Sequence, residues 1–190
     1  LQEESVRDPT ASSGALQRRN RDLLRGLDAM IVVNDQYRRW VNPHVDNVLY
    51  EPLPIPEGQL TDLRQPPERT GRICLGIGTG NLDFENYYSN YRVFDSLRRQ
   101  GYDLEAEFIG IKPYQRDRIE GYVADDPDVK ITGYLEDDYY DHLSEFELAI
   151  LLTTRGSTGR YAAELAALGV PCIGTAINEY QFQCWPALCV

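Results

Sequence analysis

One segment, residues 153–174, has residue types that could bind a phosphorylated ligand. It reads as a strand end, a loop rich in Gly, Ser and Thr, a short Ala-rich helix, a Gly-Val-Pro turn and another strand. Free backbone N–H groups at the start of such a helix bind anions well. Glu164 falls more than one turn into the helix, where its carboxylate could accept hydrogen bonds from sugar hydroxyls. Phosphate donors close to a hydroxyl acceptor are what a nucleotide-sugar site requires.

A purely structural interpretation of this segment is that Ser157 or Thr158 caps the helix and that Glu164 is solvated. Two features favour a ligand. Residues 154–160 contain two glycines and three hydroxyl residues, more than a cap requires. Glu164 is also the only acidic residue between positions 147 and 179.

A second glycine-rich turn, residues 76–81, directly follows a predicted strand. Its backbone could approach a phosphate closely, or the glycines could serve tight packing alone. The turn departs from the dinucleotide fingerprint because Asn81 occupies the third glycine position. The next strand ends at residues 110–112 without an acidic residue for a ribose, so the pattern disfavours NAD.

Composition narrows the class of partner. The chain has 190 residues, of which 42% are hydrophobic, enough for a packed core. Its formal net charge of −11 disfavours nucleic acid as a partner. Lys112 and Lys130 are the only lysines among 19 basic residues. An acidic, lysine-poor chain is typical of a halophilic protein, although a GC-rich genome produces the same arginine bias.

The cysteine pattern and the lack of a membrane or signal segment in the sequence predict a cytoplasmic protein. The four cysteines show no CxxC spacing, and two histidines are too few to favour a His-based metal site. No apolar run approaches the roughly 18 residues of a membrane helix, and no signal peptide is visible. Because the chain starts without Met and ends on a strand-like stretch at 187–190, we expect it to be part of a longer protein.

The N-terminal third predicts the end of one domain and a linker. An amphipathic helix is predicted at 15–27, a strand at 30–33, a second helix capped by Asp35 and ending at Trp40, and a strand at 45–50. Five prolines between positions 52 and 67 then predict a stiff linker over 52–68.

Beyond residue 72 the sequence alternates between strands and helices. Strands are predicted at 73–77, 107–111, 129–131, 148–153 and 170–174, and helices at 88–100, 114–124, 138–145 and 159–168. This alternation predicts an α/β domain in which helices cover both faces of a parallel sheet. Ligands of such sheets bind at the carboxyl ends of the strands.

The order of these features resembles the GT-B glycosyltransferases, whose nucleotide sugar binds in the C-terminal of two facing Rossmann-like domains. The matching stretches are 29–34, Trp40 and 53–56, then 133–135, 140–146 and the donor loop after 148–154. The resemblance covers nearly all of 15–190 and implies an incomplete two-domain GT-B protein. It assigns 1–51 to the end of the N-terminal acceptor domain, 52–68 to the linker and 69–190 to the donor domain.

The resemblance also implies roles for particular residues. Glu164 matches the glutamate that binds the nucleotide ribose. With a small shift in spacing, Glu179 and Gln183 match the acid and the glutamine that inverting members place on the donor sugar. The residues expected near the phosphates and the sugar are Thr79, Gly80, Arg155, Gly156, Ser157, Thr158, Gly159 and Arg160.

Two departures leave the stereochemistry open. Many retaining members have a second glutamate eight positions before the ribose one, where this chain has Gly156. They also have basic residues on the diphosphate after the first strand, whereas residues 81–90 contain none. Arg92, Arg155 or Arg160 would have to serve instead. No general base can be named, because inverting members usually place it on the N-terminal domain.

The implied activity is transfer of a sugar from a nucleoside diphosphate sugar to a hydroxyl of a glycan, lipid or protein acceptor. Neither a metal nor a further cofactor is implied, and membrane contact would come only through the acceptor or through missing segments. A nucleotide-sugar 2-epimerase and a non-catalytic glycosyltransferase-like binding or assembly module remain alternatives. A receiver-like or flavodoxin-like domain fits the alternation but not the Pro-rich crossing.

Acidic and aromatic residues cluster at 87–91 and 136–141, and tyrosines and carboxylates can bind saccharides. A solvated acidic helix start with half-buried tyrosines is the favoured interpretation of this cluster.

Overall fold

The computed structural model describes residues 14–63, 70–77, 86–123, 125–135, 138–154 and 158–190, with the backbone alone for 14–17 and 57. The predicted site residues that lie outside these ranges are Thr79, Gly80, Arg155, Gly156 and Ser157. The chain divides into two compact units, with residues up to Pro54 in the first and residues from Ile55 onward in the second. Thr158 is grouped with the first unit.

From residue 14 onward, the first unit contains two short parallel strands and two helices. Helix α1 spans Gly14–Arg25, strand β1 Met30–Val32, helix α2 Asp35–Val41 and strand β2 Val48–Tyr50. The apolar residues Leu24, Val32, Val41 and Val45 form its core. The helices therefore cover one face of the strand pair, while Ile31 and Leu49, which pair with each other, lie exposed on the other.

The cap of α2 differs from the prediction. Asn34, rather than Asp35, is the N-cap, and its Oδ1 accepts a hydrogen bond of 3.0 Å from the backbone N–H of Tyr37. Asn34 has the extended backbone that an N-cap requires, with φ −138° and ψ 130°. Asp35 is the first helical residue and pairs with Arg39 one turn later at 2.8 Å.

The second unit contains a five-stranded, fully parallel sheet, as predicted. Its strands are β3 Arg72–Ile77, β4 Glu105–Ile109, β5 Val129–Ile131, β6 Leu148–Leu151 and β7 Cys172–Gly174. Their spatial order is β5-β4-β3-β6-β7. Strands β4 and β5 therefore lie on one side of β3, and β6 and β7 lie on its other side. Such a reversal of strand order creates the crevice at which ligands of open α/β sheets bind.

Helices lie on both faces of this sheet, which confirms the α/β prediction. They are α3 Glu57–Asp62, α4 Tyr87–Arg99, α5 Pro113–Val123, α6 Tyr139–Ser144, α7 Arg160–Leu168 and α8 Glu179–Cys184. One apolar core joins the sheet to Leu60 of α3, Leu143 of α6 and Leu165 of α7. A second core joins it to Phe94 of α4 and Ile119 of α5.

Several segments differ from the predictions, among them α8, for which no helix was predicted. Helix α3 lies within the predicted linker, and its Leu60 is fully buried in the core of the second unit. Strand β4 ends at Ile109 because Gly110 takes a positive φ of 67°. The predicted terminal strand is a 3-10 helix over Pro186–Leu188, leaving one bridge between Gly174 and Cys189.

None of the helices in the described parts of the chain has the length and apolar character needed to cross a bilayer.

Candidate functional site

The candidate site is centred on the start of helix α7, which follows β6 at the carboxyl edge of the sheet. The N-cap is Gly159 rather than Ser157 or Thr158, so no side chain of the cap residue binds the first turn. Gly159 has φ 68°, and a Cβ there would lie 2.8 Å from the Cβ of Asn178. Glycine is therefore required both by the backbone conformation and by the close approach of Asn178.

Glu164 is buried in this helix rather than solvated, since its side chain is only 3% exposed. Its Oε1 accepts a hydrogen bond from Nε of Arg160 at 2.7 Å, one helical turn earlier. The phenol groups of Tyr139 and Tyr140, both on α6, donate to Oε2 and Oε1, each at 3.3 Å. A short ion pair and two longer hydrogen bonds thus compensate the buried charge.

The protonation states in this cluster follow from burial and from the carboxylate. Burial and the adjacent charge of Glu164 both raise the pKa of Tyr139 and that of Tyr140, so both phenols remain donors. Burial alone lowers the pKa of Arg160, but the Glu164 carboxylate outweighs it and the pKa is raised. The cluster therefore combines one carboxylate, one guanidinium and two neutral phenols.

Part of this cluster is open to a ligand. The Arg160 side chain is 46% exposed, so its guanidinium can meet an anion while Nε stays on Glu164. The two phenol bonds are long for O–H donors, whose usual distance is about 2.7 Å, and they are the weaker contacts of Glu164. Sugar hydroxyls could replace them as donors without leaving the carboxylate unpaired.

A second polar group joins the carboxyl ends of β6 and β7. The backbone N–H of Thr153 donates to Oγ1 of Thr175 at 2.8 Å, and that hydroxyl donates back to the carbonyl of Thr153 at 2.9 Å. Asn178 Nδ2 lies 3.4 Å from Oγ1 of Thr153. Thr175 and Asn178 were not predicted as site residues, although polar residues directly after a strand mark this edge of a parallel sheet.

Asn90 joins the two central strands where the sheet order reverses. It is fully buried on α4, and its amide donates to the carbonyl of Leu75 in β3 at 2.7 Å. Its Oδ1 accepts from the backbone N–H of Leu152, just beyond β6, at 3.1 Å. This bridge was not predicted, because it depends on strand order and has no local signal in the sequence.

Glu179 and Gln183 lie together on α8, with Gln183 Nε2 3.3 Å from Oε1 of Glu179. Helix α8 packs against α7. Glu179 and Gln183 therefore lie on a helix that packs against α7, the helix that carries Arg160 and Glu164.

The other predicted residues lie elsewhere or outside the described ranges. The Arg92 side chain is 52% exposed and pairs with Asp95 on its own helix at 3.4 Å. Of the predicted aromatic cluster, Tyr87 is buried rather than half-buried, with its hydroxyl donating to the carbonyl of Ile77 at 3.1 Å. Within the described ranges, no group of three or more His, Cys, Asp or Glu residues could hold a metal ion.

Comparison with known proteins identifies the fold through structure and not through sequence. No family model and no curated protein sequence matches the chain. Solved GT-B glycosyltransferase structures do match it. A UDP-forming α,α-trehalose-phosphate synthase from Burkholderia xenovorans superposes with a TM-score of 0.71 at 12% identity, over 94% of this chain and 55% of that one. TarM superposes with a TM-score of 0.69 at 15% identity, over 90% of this chain and 34% of that one.

A third match has a nucleotide in its structure. Anabaena Alr3699/HepE, solved in complex with UDP and glucose, superposes with a TM-score of 0.64 at 14% identity, covering 90% of this chain and 51% of that one. The chain therefore spans between a third and about half the length of these three proteins. At such identities the likeness concerns the fold, and it confirms the predicted GT-B architecture.

Proposed function

We propose that this chain supplies the nucleotide-sugar-binding domain of a glycosyltransferase that moves a sugar from a nucleoside diphosphate to an acceptor hydroxyl. The main observation in support is the Arg160–Glu164 pair, placed at the start of α7 on the carboxyl edge of a GT-B sheet. A cation and a buried carboxylate 2.7 Å apart match two adjacent parts of a nucleoside diphosphate, the phosphates and the ribose.

The same pair suggests how the donor would bind. The ribose hydroxyls would replace the phenols of Tyr139 and Tyr140 as donors to Glu164, while Arg160 keeps its ion pair. The exposed face of the Arg160 guanidinium and the N–H groups at the start of α7 would then face the diphosphate. Glu179 and Gln183 on α8 would contact the donor sugar.

Rate enhancement in such a site would come from stabilising the leaving group. Negative charge develops on the diphosphate as the bond to the sugar breaks, and donors already oriented towards it lower that barrier. Arg160, which a buried carboxylate holds in place, is a donor of this kind, and the positive end of the α7 dipole adds to its effect. The general base and the acceptor site lie outside the residues assigned here.

Two solved neighbours favour a uridine nucleotide as the first probe. The HepE structure contains UDP and glucose, and the pneumococcal O-GlcNAc transferase GtfA, with a TM-score of 0.59 and 14% identity, contains UDP and GlcNAc. We therefore propose a UDP-sugar as the donor, a hexose as the sugar and a hexosyltransferase as the enzyme class.

The test is binding of UDP, GDP and TDP to the chain by titration calorimetry. We expect UDP to bind, and Glu164→Gln to weaken it by about thirtyfold, because a hydrogen bond to a charged group contributes about 2 kcal/mol. Glu120→Gln is the matched control. It neutralises the glutamate of another Arg–Glu pair of the same spacing, Arg116–Glu120 on α5, which is exposed. Affinity that Glu164→Gln leaves unchanged would remove the central residue of the proposal.

A product assay separates transfer from epimerisation. Incubation with the donor sugar alone should leave the donor's sugar unchanged, whereas a 2-epimerase needs no acceptor and would convert it.

A further inference from the structure

Helix α6 is too short to fix its own position. It has only six residues, and its N-cap, Asp138, makes no side-chain hydrogen bond to the first turn. Isolated helices shorter than about 12 residues are marginal in water, so tertiary contacts must hold this one. Leu143 provides an apolar anchor because it is fully buried in the core. The polar contacts of α6 then decide how it is oriented.

Those polar contacts join two buried carboxylates on different elements. At the start of the helix, Tyr139 and Tyr140 donate to Glu164 of α7. Two residues later, Nε2 of His142 lies 3.1 Å from Oε1 of Glu107, in the middle of β4. The other ring nitrogen, Nδ1, lies 3.6 Å from Oε2 of Glu145, just beyond the helix.

The contact between His142 and Glu107 is strong because the Glu107 carboxylate is buried. Its side chain is 3% exposed, and an unpaired buried carboxylate is costly. Arg72 Nη2 lies 3.2 Å from Oε2, Lys130 Nζ lies 3.4 Å from Oε1, and the Thr132 hydroxyl also donates to Oε1. These three residues lie in β3, in β5 and directly after β5. Among the described donors to Glu107, His142 is the one that belongs to a helix.

We infer that Glu107 and His142 are positioning residues for the nucleotide site. Their contact sets the orientation of α6 on the sheet, and α6 in turn sets where the phenols of Tyr139 and Tyr140 lie, on Glu164 without a ligand and beside the ribose once its hydroxyls have replaced them. Neither Glu107 nor His142 contacts the ligand in this scheme. The inference rests on the proposed function, because it gives Glu164 the role of ribose acceptor.

The first test measures UDP affinity together with thermal stability in two variants of His142. His142→Leu fills the space but cannot donate to Glu107, and we expect it to weaken UDP binding by about tenfold, since small displacements of binding groups have effects of this size. His142→Gln restores an N–H close to the position of Nε2 and should recover most of the affinity. If His142 only filled space, the two variants would bind UDP with similar affinity.

Arg98→Gln is the matched control for general loss of stability. The Arg98 side chain on α4 is 29% exposed and pairs with Asp126, whose side chain is 11% exposed. This ion pair belongs to the same unit as α6 but makes no described hydrogen bond or ion pair to it. The substitution should lower the melting temperature and leave the UDP affinity within about twofold. The inference is overturned if His142→Leu binds UDP like the unaltered chain, or if Arg98→Gln weakens binding as much as His142→Leu.

A second measurement tests the link between His142 and Glu164 without nucleotide, so that failure of this link and failure of the proposed function can be told apart. Substitutions at residues without shared contacts are additive to within about twofold in the folding equilibrium constant. His142 and Glu164 make no described contact with each other, so coupling between His142→Leu and Glu164→Gln must pass through α6. We expect coupling of at least fivefold in urea unfolding, and additive effects would overturn the positioning role.

Discussion

At the residue scale, the described parts of the chain contain two buried carboxylates, and each is neutralised in a different way. Glu164 accepts from one guanidinium and two phenols, so part of its binding capacity can be exchanged for ligand hydroxyls. Glu107 accepts from Arg72, Lys130, Thr132 and His142, which come from β3, from β5 and its end, and from α6. The first arrangement suits binding, and the second suits the fixing of secondary structure elements to one another.

Glu107 should make the stability depend on pH below its unperturbed pKa of 4.5. Burial alone raises the pKa of Glu107, but the Thr132 hydroxyl and His142 outweigh it and lower the pKa in the folded state. Its contribution to stability is therefore complete above pH 4.5 and is lost as the pH falls through the folded pKa. Urea unfolding between pH 3 and pH 6 should show this decline, and Glu107→Gln should flatten it. An equally steep decline in the variant would assign the effect to other carboxylates.

At the element scale, the fold places the start of α7 and the ends of β6 and β7 in one polar group. Gly159 permits the sharp entry into α7, and Asn178 packs against it from the segment before α8. Thr153 and Thr175 join the two strand ends by reciprocal hydrogen bonds. The backbone N–H groups that could meet a diphosphate are thus oriented by contacts made on either side of them.

Gly159→Ala tests this entry. The left-handed φ of 68° and the 2.8 Å approach of Asn178 predict a loss of about 2 kcal/mol or more in the free energy of unfolding, measured in urea. UDP affinity should fall as well, because the start of α7 would shift.

Gly121→Ala is the matched control, since no atom lies within 4 Å of a Cβ at that position in α5. Removing a helix-interior glycine should instead raise the stability by about 0.5 to 1 kcal/mol. A neutral Gly159→Ala would mean that the helix starts without the left-handed turn.

At the scale of the whole molecule, a net charge of −11 is distributed over a chain with only 19 basic residues. Local ion pairs such as Arg98–Asp126 offset part of the repulsion, but an excess of this size destabilises a compact state. Screening by salt should therefore stabilise the fold.

The melting temperature should accordingly rise between about 0.01 M and 1 M NaCl, where the Debye length falls from about 30 Å to about 3 Å. A continued rise in molar KCl would favour the halophilic interpretation over a genomic arginine bias. A decrease over the first interval would show that the ion pairs contribute more to stability than the repulsion removes.

The sequence by itself determined the five strands of the larger unit, four of its six described helices and the order of these elements. Strand β5 was predicted to the residue, and α7 to within one residue, because apolar periodicity and the flanking glycines are local signals. Helix α3 was missed because six residues between prolines show no periodicity, and only burial of Leu60 in the core reveals its role.

Only the tertiary structure decided the partners of the candidate functional side chains. Glu164 was identified from its isolation among apolar residues, but Tyr139 and Tyr140 reach it from about 25 positions away, through the packing of α6 on α7. Asn90 bridges β3 and β6 only because those strands are neighbours in the sheet, although they are about 70 residues apart in the chain. Local pattern specifies which face of an element is apolar, whereas pairing between distant polar groups depends on strand order and on the helix layer above it.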